Sequence, residues 1–96
     1  MNVIELRNKT IAARAIKVAA EDAEFNVSPF RKYIDRRIQE AADNDEGILA
    51  LNFYCAKERV HNLKYGGPTM DTVLRHYQSE GFKALSECTN TIISWM

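Results

Sequence analysis

The sequence predicts a small α+β domain in which two amino-terminal helices precede a three-stranded sheet, and a helix of the carboxy-terminal half packs on that sheet. Two patterns predict this class. Apolar residues recur at helical spacing over residues 70–77 and at a period of two over residues 82–95. The predicted order is helix, helix, strand, helix, strand, strand, and residues 56–63 could add a short helix or be irregular. No repeat, linker or low-complexity segment divides residues 1–96, which favours a single domain.

The carboxy-terminal third has the clearest pattern. A helix within residues 70–80 stops at Gly81, because glycine readily adopts the left-handed conformation of a helix end. Alternating apolar residues predict strands on both sides of the polar segment 86–90, which predicts a turn and hence a β-hairpin. Trp95 is expected in the core, since it shares a strand face with the apolar residues before it.

Two helices are predicted ahead of the sheet. The first covers residues 3–24. The second starts after Ser28, which can accept a hydrogen bond from the free amides of the first turn, and Pro29 suits the first helical position. The apolar run over residues 47–55 predicts the most deeply buried strand. We expect residues 28–96 to form the compact core of the domain.

The first helix carries a narrow apolar stripe that is rich in alanine. Such a stripe allows close helix approach, and the rest of the chain can already form two packed layers. We therefore expect a homo-oligomer in which copies of the chain bury each other's stripes. The predicted interface residues are Ile4, Ile11, Ala15 and Val18.

The composition excludes several classes of protein. With 46% hydrophobic and 27% charged residues, the chain of 96 residues is expected to fold. Thirteen basic residues balance thirteen acidic ones, which argues against general binding to nucleic acid or anionic membranes. The longest apolar run, residues 48–51, is too short for a membrane span, and no signal peptide is expected. We predict a cytoplasmic protein with reduced Cys55 and Cys88, the former a buried core thiol.

A glycine-rich loop before the helix of residues 70–80 is the candidate ligand site. Free amides at a helix start bind phosphate or carboxylate, which makes a small nucleotide a possible ligand. The spacing matches no nucleotide-binding fingerprint, and a plain loop with a helix cap is the alternative. A carboxylate at Asp71 also opposes anion binding. The candidate residues are Lys64, Tyr65, Gly66, Gly67 and Thr69.

The densest basic cluster lies on the second helix and is the candidate partner-binding surface. Its residues are Arg31, Lys32, Arg36 and Arg37. Residues 1–37 carry a net charge of +3 and residues 38–58 a net charge of −4, an asymmetry that suits contacts between charged patches. The alternative is a solvated helix face with local pairs, such as Asp35 with Arg31.

The spacing of the cysteine, histidine and aspartate residues does not favour metal binding or catalysis. Cys55, His61, His76 and Cys88 lack the close couples of structural zinc sites. Asp71 and His76 are five residues apart on one helix, so they do not share a face with which to activate a cysteine. We therefore predict no metal, no cofactor and no catalytic residue.

The helix that ends in Gly81-Phe82, the short hairpin after it and the terminal Ile93-Ser94-Trp95 resemble small accessory proteins of tailed bacteriophages. This resemblance covers about a third of the chain and rests on residues that determine the fold, so no functional residue is carried over from it. It implies a phage origin and a compact, often oligomeric, cytoplasmic domain.

The leading hypothesis for function is a non-enzymatic, homo-oligomeric phage protein that binds a host protein or a host signalling nucleotide, such as one used in defence. A virion or assembly component, for which self-association would be the function, is the second hypothesis. A small enzyme is the third.

Overall fold

The computed structural model describes residues 2–61 and 68–96, with the side chain of His61 excepted. Four helices and three strands occur in these residues, and their order confirms the predicted α+β class. The elements are α1 (Val3–Asn26), α2 (Pro29–Asp43), β1 (Ile48–Asn52), α3 (Phe53–His61), α4 (Met70–Ser79), β2 (Lys83–Glu87) and β3 (Asn90–Ser94).

The predicted helix signals act as expected. The Ser28 hydroxyl accepts a hydrogen bond from the Arg31 amide at 3.2 Å, and Pro29 opens α2. Gly81 has a φ of 97° just beyond α4, and the Phe82 amide donates to the Tyr77 carbonyl at 3.0 Å. The rings of Tyr77 and Phe82 pack edge to face, which completes a Schellman motif.

The sheet is antiparallel and has the strand order β1-β3-β2. Its hairpin is tighter than predicted, because Glu87 pairs with Asn90 and only Cys88 and Thr89 remain in the turn. The positive φ of Cys88, 54°, lets the chain reverse over these two residues.

One face of the sheet is buried and the other is open. Strand alternation directs Leu49, Leu51, Ala84, Thr91 and Ile93 toward the helices, and all five are buried. The opposite face leaves Ile48 and Leu85 half exposed, so the helices cover one side only.

The core lies between this sheet face and the four helices. Phe30 and Ile34 of α2 and Val73 and Tyr77 of α4 are fully buried in it, and α3 adds buried Phe53. The first helix contributes Phe25, which is also fully buried, whereas residues 3–17 of the same helix are exposed. Thus α1 is anchored at its carboxy-terminal end and extends beyond the body of the protein.

Two expectations about the middle of the chain were wrong. The strand predicted over residues 47–55 ends at Asn52, whose Oδ1 accepts a hydrogen bond from the Cys55 amide at 3.0 Å and so starts α3. Cys55 lies on this helix and is exposed rather than buried. The uncertain segment 56–63 is helical as far as His61, and its last two residues lie outside the described ranges.

Trp95 is less buried than predicted. The strand that precedes it ends at Ser94, and the indole lies at the rim of the core, where it packs edge to face on Phe82 with ring centroids 6.3 Å apart. Its amide donates to the Gly47 carbonyl at 3.1 Å, which ties the carboxyl terminus to the start of β1.

Candidate binding groove

The periodicity of α2 places a set of basic side chains outside the core. Phe30 and Ile34, four residues apart, face inward, so the positions between them face outward or lie at the rim. Lys32 and Arg36 are exposed, and Arg37 is half-buried. Lys32 and Arg36 therefore lie on the outer side of α2. Arg37, seven residues after Phe30, lies at the rim of the core next to β1.

Tyr33 organises two of these cations. Its half-buried ring packs against the core, and its hydroxyl accepts a hydrogen bond from Arg37 Nη1 at 2.9 Å. The guanidinium carbons of Arg36 and Arg37 lie 5.6 and 5.8 Å from the centre of the ring, within cation–π range. The aromatic ring thus holds two guanidinium groups close together at the surface.

A further cation comes from α3, which packs against α2. Ala56 is buried and Val60 half-buried in this contact, and Arg59 between them is exposed at its edge. Sequence reasoning missed Arg59 because residues 56–63 were left open between a short helix and an irregular segment. The available signal was the helical spacing of Ala56 and Val60, which places Arg59 at the edge of an apolar helix face.

Two adjoining concavities connect these residues, and Tyr33 and Arg59 border both. We call the two together the basic groove. One is lined by Tyr33, Arg37, Ala50, Leu51, Asn52, Cys55, Ala56 and Arg59, and the other by Pro29, Lys32, Tyr33, Arg36, Arg59 and Val60.

The charge of the basic groove is only weakly neutralised. Glu40 lies 3.9 Å from Arg36 Nε and 4.0 Å from Arg37 Nε, and such long, exposed ion pairs contribute little. In the described part of the chain, Lys32 and Arg59 form no ion pair. The groove is therefore lined by four cations, two of which pack on the Tyr33 ring, and among the described residues only Glu40 forms an ion pair with any of the four.

Arg31, which was predicted to belong to the same cluster, does not line the groove. Its Nη1 donates to the Asn26 carbonyl at 2.8 Å, and its Nε lies 3.3 Å from Asp35 Oδ2. These contacts hold Arg31 at the junction of α1 and α2. The structure thus brings Lys32, Arg36 and Arg37 together with Arg59 and leaves Arg31 out.

The predicted ligand loop is described only at its end. Lys64, Tyr65, Gly66 and Gly67 lie outside the described residues. Thr69 is the amino-terminal cap of α4, and its hydroxyl accepts a hydrogen bond from the Thr72 amide at 3.3 Å.

The other polar residues considered for chemistry lie in different settings. His76 packs edge to face on Phe25, with centroids 4.9 Å apart, and its Nε2 lies 3.2 Å from Glu80. Cys88 is exposed in the hairpin turn. Within residues 2–61 and 68–96, no three histidine, cysteine or acidic side chains come together as a metal site.

A third concavity, between α1 and α4, has no excess of positive charge. Arg75 lines it, and its Nη2 lies 3.0 Å from Asp22 and 3.8 Å from Glu21. Because the guanidinium group already has two carboxylates beside it, this concavity offers little attraction for an anionic ligand. It fastens α1 to α4.

The predicted oligomer stripe lies mainly on the free part of α1. Ile4 and Ile11 are 68% and 57% exposed, Ala15 is exposed, and Val18 is half-buried. The stripe continues into Phe25, seven residues beyond Val18, which is buried in the core. The same face of α1 therefore packs in the core at its carboxy-terminal end and is an uncovered apolar surface toward its amino-terminal end.

The comparisons with known proteins identified no related protein. No family model matches the chain, and neither a curated protein nor a solved structure is similar to it. The resemblance to phage accessory proteins accordingly stays a prediction. In the residues that the structure describes, no helix has the length and apolar character needed to cross a membrane.

Proposed function

We propose that this protein is a non-enzymatic binding protein that holds an acidic partner protein in the basic groove and acts as a homo-oligomer. One observation carries the proposal: Lys32, Arg36, Arg37 and Arg59 line two adjoining concavities that share Tyr33, and in the described residues only Glu40 forms an ion pair with any of them. Arginine and tyrosine are the residues that contribute most to protein interfaces, and fixed guanidinium groups suit carboxylates.

An acidic protein fits the groove better than a nucleotide does. The groove runs across α2, α3 and the edge of β1 rather than enclosing a single cavity, so it matches an elongated chain. The loop expected to bind a nucleotide contributes no described residue to it. If the protein is encoded by a phage, the partner is an acidic protein of the host.

Reversing the charge of Arg59 is expected to weaken binding of a fluorescein-labelled decaglutamate peptide, measured by fluorescence anisotropy, by about tenfold or more. Arg59 has no counter-charge in the described part of the chain, so Arg59→Glu removes a free cation and adds a repulsive carboxylate to the groove.

Lys83→Glu is the matched control, because it changes the net charge equally at an exposed position of β2, outside both the groove and α1. Its binding should stay near that of the native protein. Equal weakening by both variants would mean that the peptide responds to net charge alone, and the groove would then not be the site.

Self-association through α1 is the second part of the proposal. Its support is the uncovered stripe around Ile4 and Ile11, which a second copy of the helix could bury in a two-fold interface.

Ala15→Glu is expected to shift the protein to a smaller species in multi-angle light scattering, because it places a carboxylate within the stripe. Ala13→Glu is the matched control, since Ala13 lies about 160° around the helix from Ala15. A monomeric native protein, or loss of the oligomer in both variants, would contradict the proposal. Open-ended growth of the native protein would favour an assembly component instead.

A further inference from the structure

Among the described residues, no strand pairs with the outer edge of β1. The Phe53 amide donates to the Thr89 carbonyl and the Trp95 amide to the Gly47 carbonyl, and these bonds fix which residues of the ladder are hydrogen-bonded. By the alternation of an antiparallel pair, Leu49 and Leu51 exchange bonds with β3, while the amides and carbonyls of Ile48 and Ala50 point away from the sheet.

The two edges of the sheet differ in protection. On β2, Gln78 Nε2 donates to the outward carbonyl of Ala84 at 2.8 Å, and charges at Lys83 and Glu87 discourage another strand. The β1 sequence, ILALN, has no charge and no proline. In the described residues, no side chain or backbone group bonds to the outward backbone groups of Ile48 and Ala50.

The open edge of β1 is also one wall of the basic groove. Ala50, Leu51 and Asn52 line the same concavity as Arg37 and Arg59. An extended chain placed along β1 would therefore lie beside two guanidinium groups. The edge of β1, which can form backbone hydrogen bonds with an added chain, therefore lies next to two cations that can bind carboxylates.

We infer that an extended acidic segment of the partner protein binds as a fourth strand along β1. This inference rests on the proposed function and adds the mode of binding. Successive side chains of the added strand would alternate between the two faces of the sheet. Those on the helix side would meet Arg37 and Arg59, and those on the other side would continue the apolar surface of Ile48 and Ala50. The segment therefore alternates acidic and apolar residues.

A second copy of this chain fits the edge less well. Two β1 strands paired across a two-fold axis would bring two basic grooves next to each other, and like charges disfavour that approach. The charge of the groove thus selects an acidic strand from another protein.

The test uses an acetylated, fluorescein-labelled peptide in which glutamate and valine alternate over ten residues, titrated by anisotropy. Ala50→Pro removes the outward amide of β1 without removing a bond to β3, which is where an edge strand tolerates proline. We expect binding to weaken by about tenfold or more. Ser86→Pro, at an outward amide of β2, is the matched control and should bind as the native protein does.

A second measurement does not depend on the variant being folded. Hydrogen exchange of the native protein, with and without the peptide, should show slower exchange at the Ile48 and Ala50 amides. A peptide N-methylated at alternate residues on its β1-facing edge should bind more weakly than its unmodified parent.

The outcomes separate the two proposals. Strand addition would be overturned if the native protein and Ala50→Pro bound the peptide equally well, or if hydrogen exchange at Ala50 did not change in the complex. The proposal of the basic groove would still stand if Arg59→Glu weakened binding. Loss of both effects, or no binding to the native protein at about 1 mM peptide, would overturn both. A homo-oligomer that Ala50→Pro dissociates would show that a second copy occupies the edge.

Discussion

Replacing Phe25 by alanine is expected to lower the free energy of unfolding by about 3–5 kcal/mol, the scale of a large-to-small change in a core. The ring is fully buried and contacts the rings of His76, Phe30 and Tyr77, with centroid distances of 4.9, 6.3 and 6.3 Å. It is the only fully buried residue of α1 in the described part of the chain. Its loss would leave a cavity where α1, α2 and α4 meet.

Urea denaturation followed by circular dichroism measures this change, and Ile16→Ala is the control. Ile16 lies on the same helix but is 73% exposed, so its replacement should change stability by less than about 0.5 kcal/mol. A cost below about 1 kcal/mol for Phe25→Ala would show that α1 is not part of the cooperative core. The helix would then be an appendage held mainly by the ion pairs of Arg75.

The ends of α4 and the buried faces of the hairpin could be predicted because local chemistry determines them. Gly81 must supply a positive φ, Thr69 caps α4 with its own side chain, and a period of two identifies the buried faces of the hairpin. None of these features requires knowledge of distant parts of the chain. The same holds for Ser28 and Pro29 at the start of α2.

The boundary between β1 and α3 could not be predicted in this way. Residues 47–55 are almost all apolar, and an apolar run fits a buried strand and a buried helix equally well. A distant contact decides the boundary: Asn52 donates to Thr89 Oγ1 in the hairpin turn at 3.1 Å while its carbonyl-type oxygen caps α3.

The candidate site was predicted in part for a related reason. A cluster of cations on one helix is visible in sequence, which is why Lys32, Arg36 and Arg37 were identified. Whether each cation is available to a ligand depends on which acceptor groups the fold places next to it. Asp35 and the end of α1 bind Arg31 away from the groove, and the packing of α3 on α2 adds Arg59.

Tyr77 makes the stability of this protein sensitive to alkaline pH. Burial raises the pKa of its hydroxyl well above the ordinary value of 10.0, and the hydrogen bond that it donates to Asp35 at 2.7 Å raises it further. Above pH 10 the unfolded chain releases this proton and the folded protein retains it. Stability present at lower pH is therefore lost as the pH rises, by up to about 1.4 kcal/mol per pH unit.

Tyr77→Phe should remove this loss, because phenylalanine has no proton to release. At neutral pH the variant should be less stable by about 1–2 kcal/mol, since Asp35 loses its donor but stays partly exposed and keeps Arg31. Urea denaturation of both proteins from pH 9 to 11.5 measures the difference, and other groups that titrate there affect both equally. Parallel curves for the native protein and Tyr77→Phe would mean that Tyr77 does not hold its proton in the folded state.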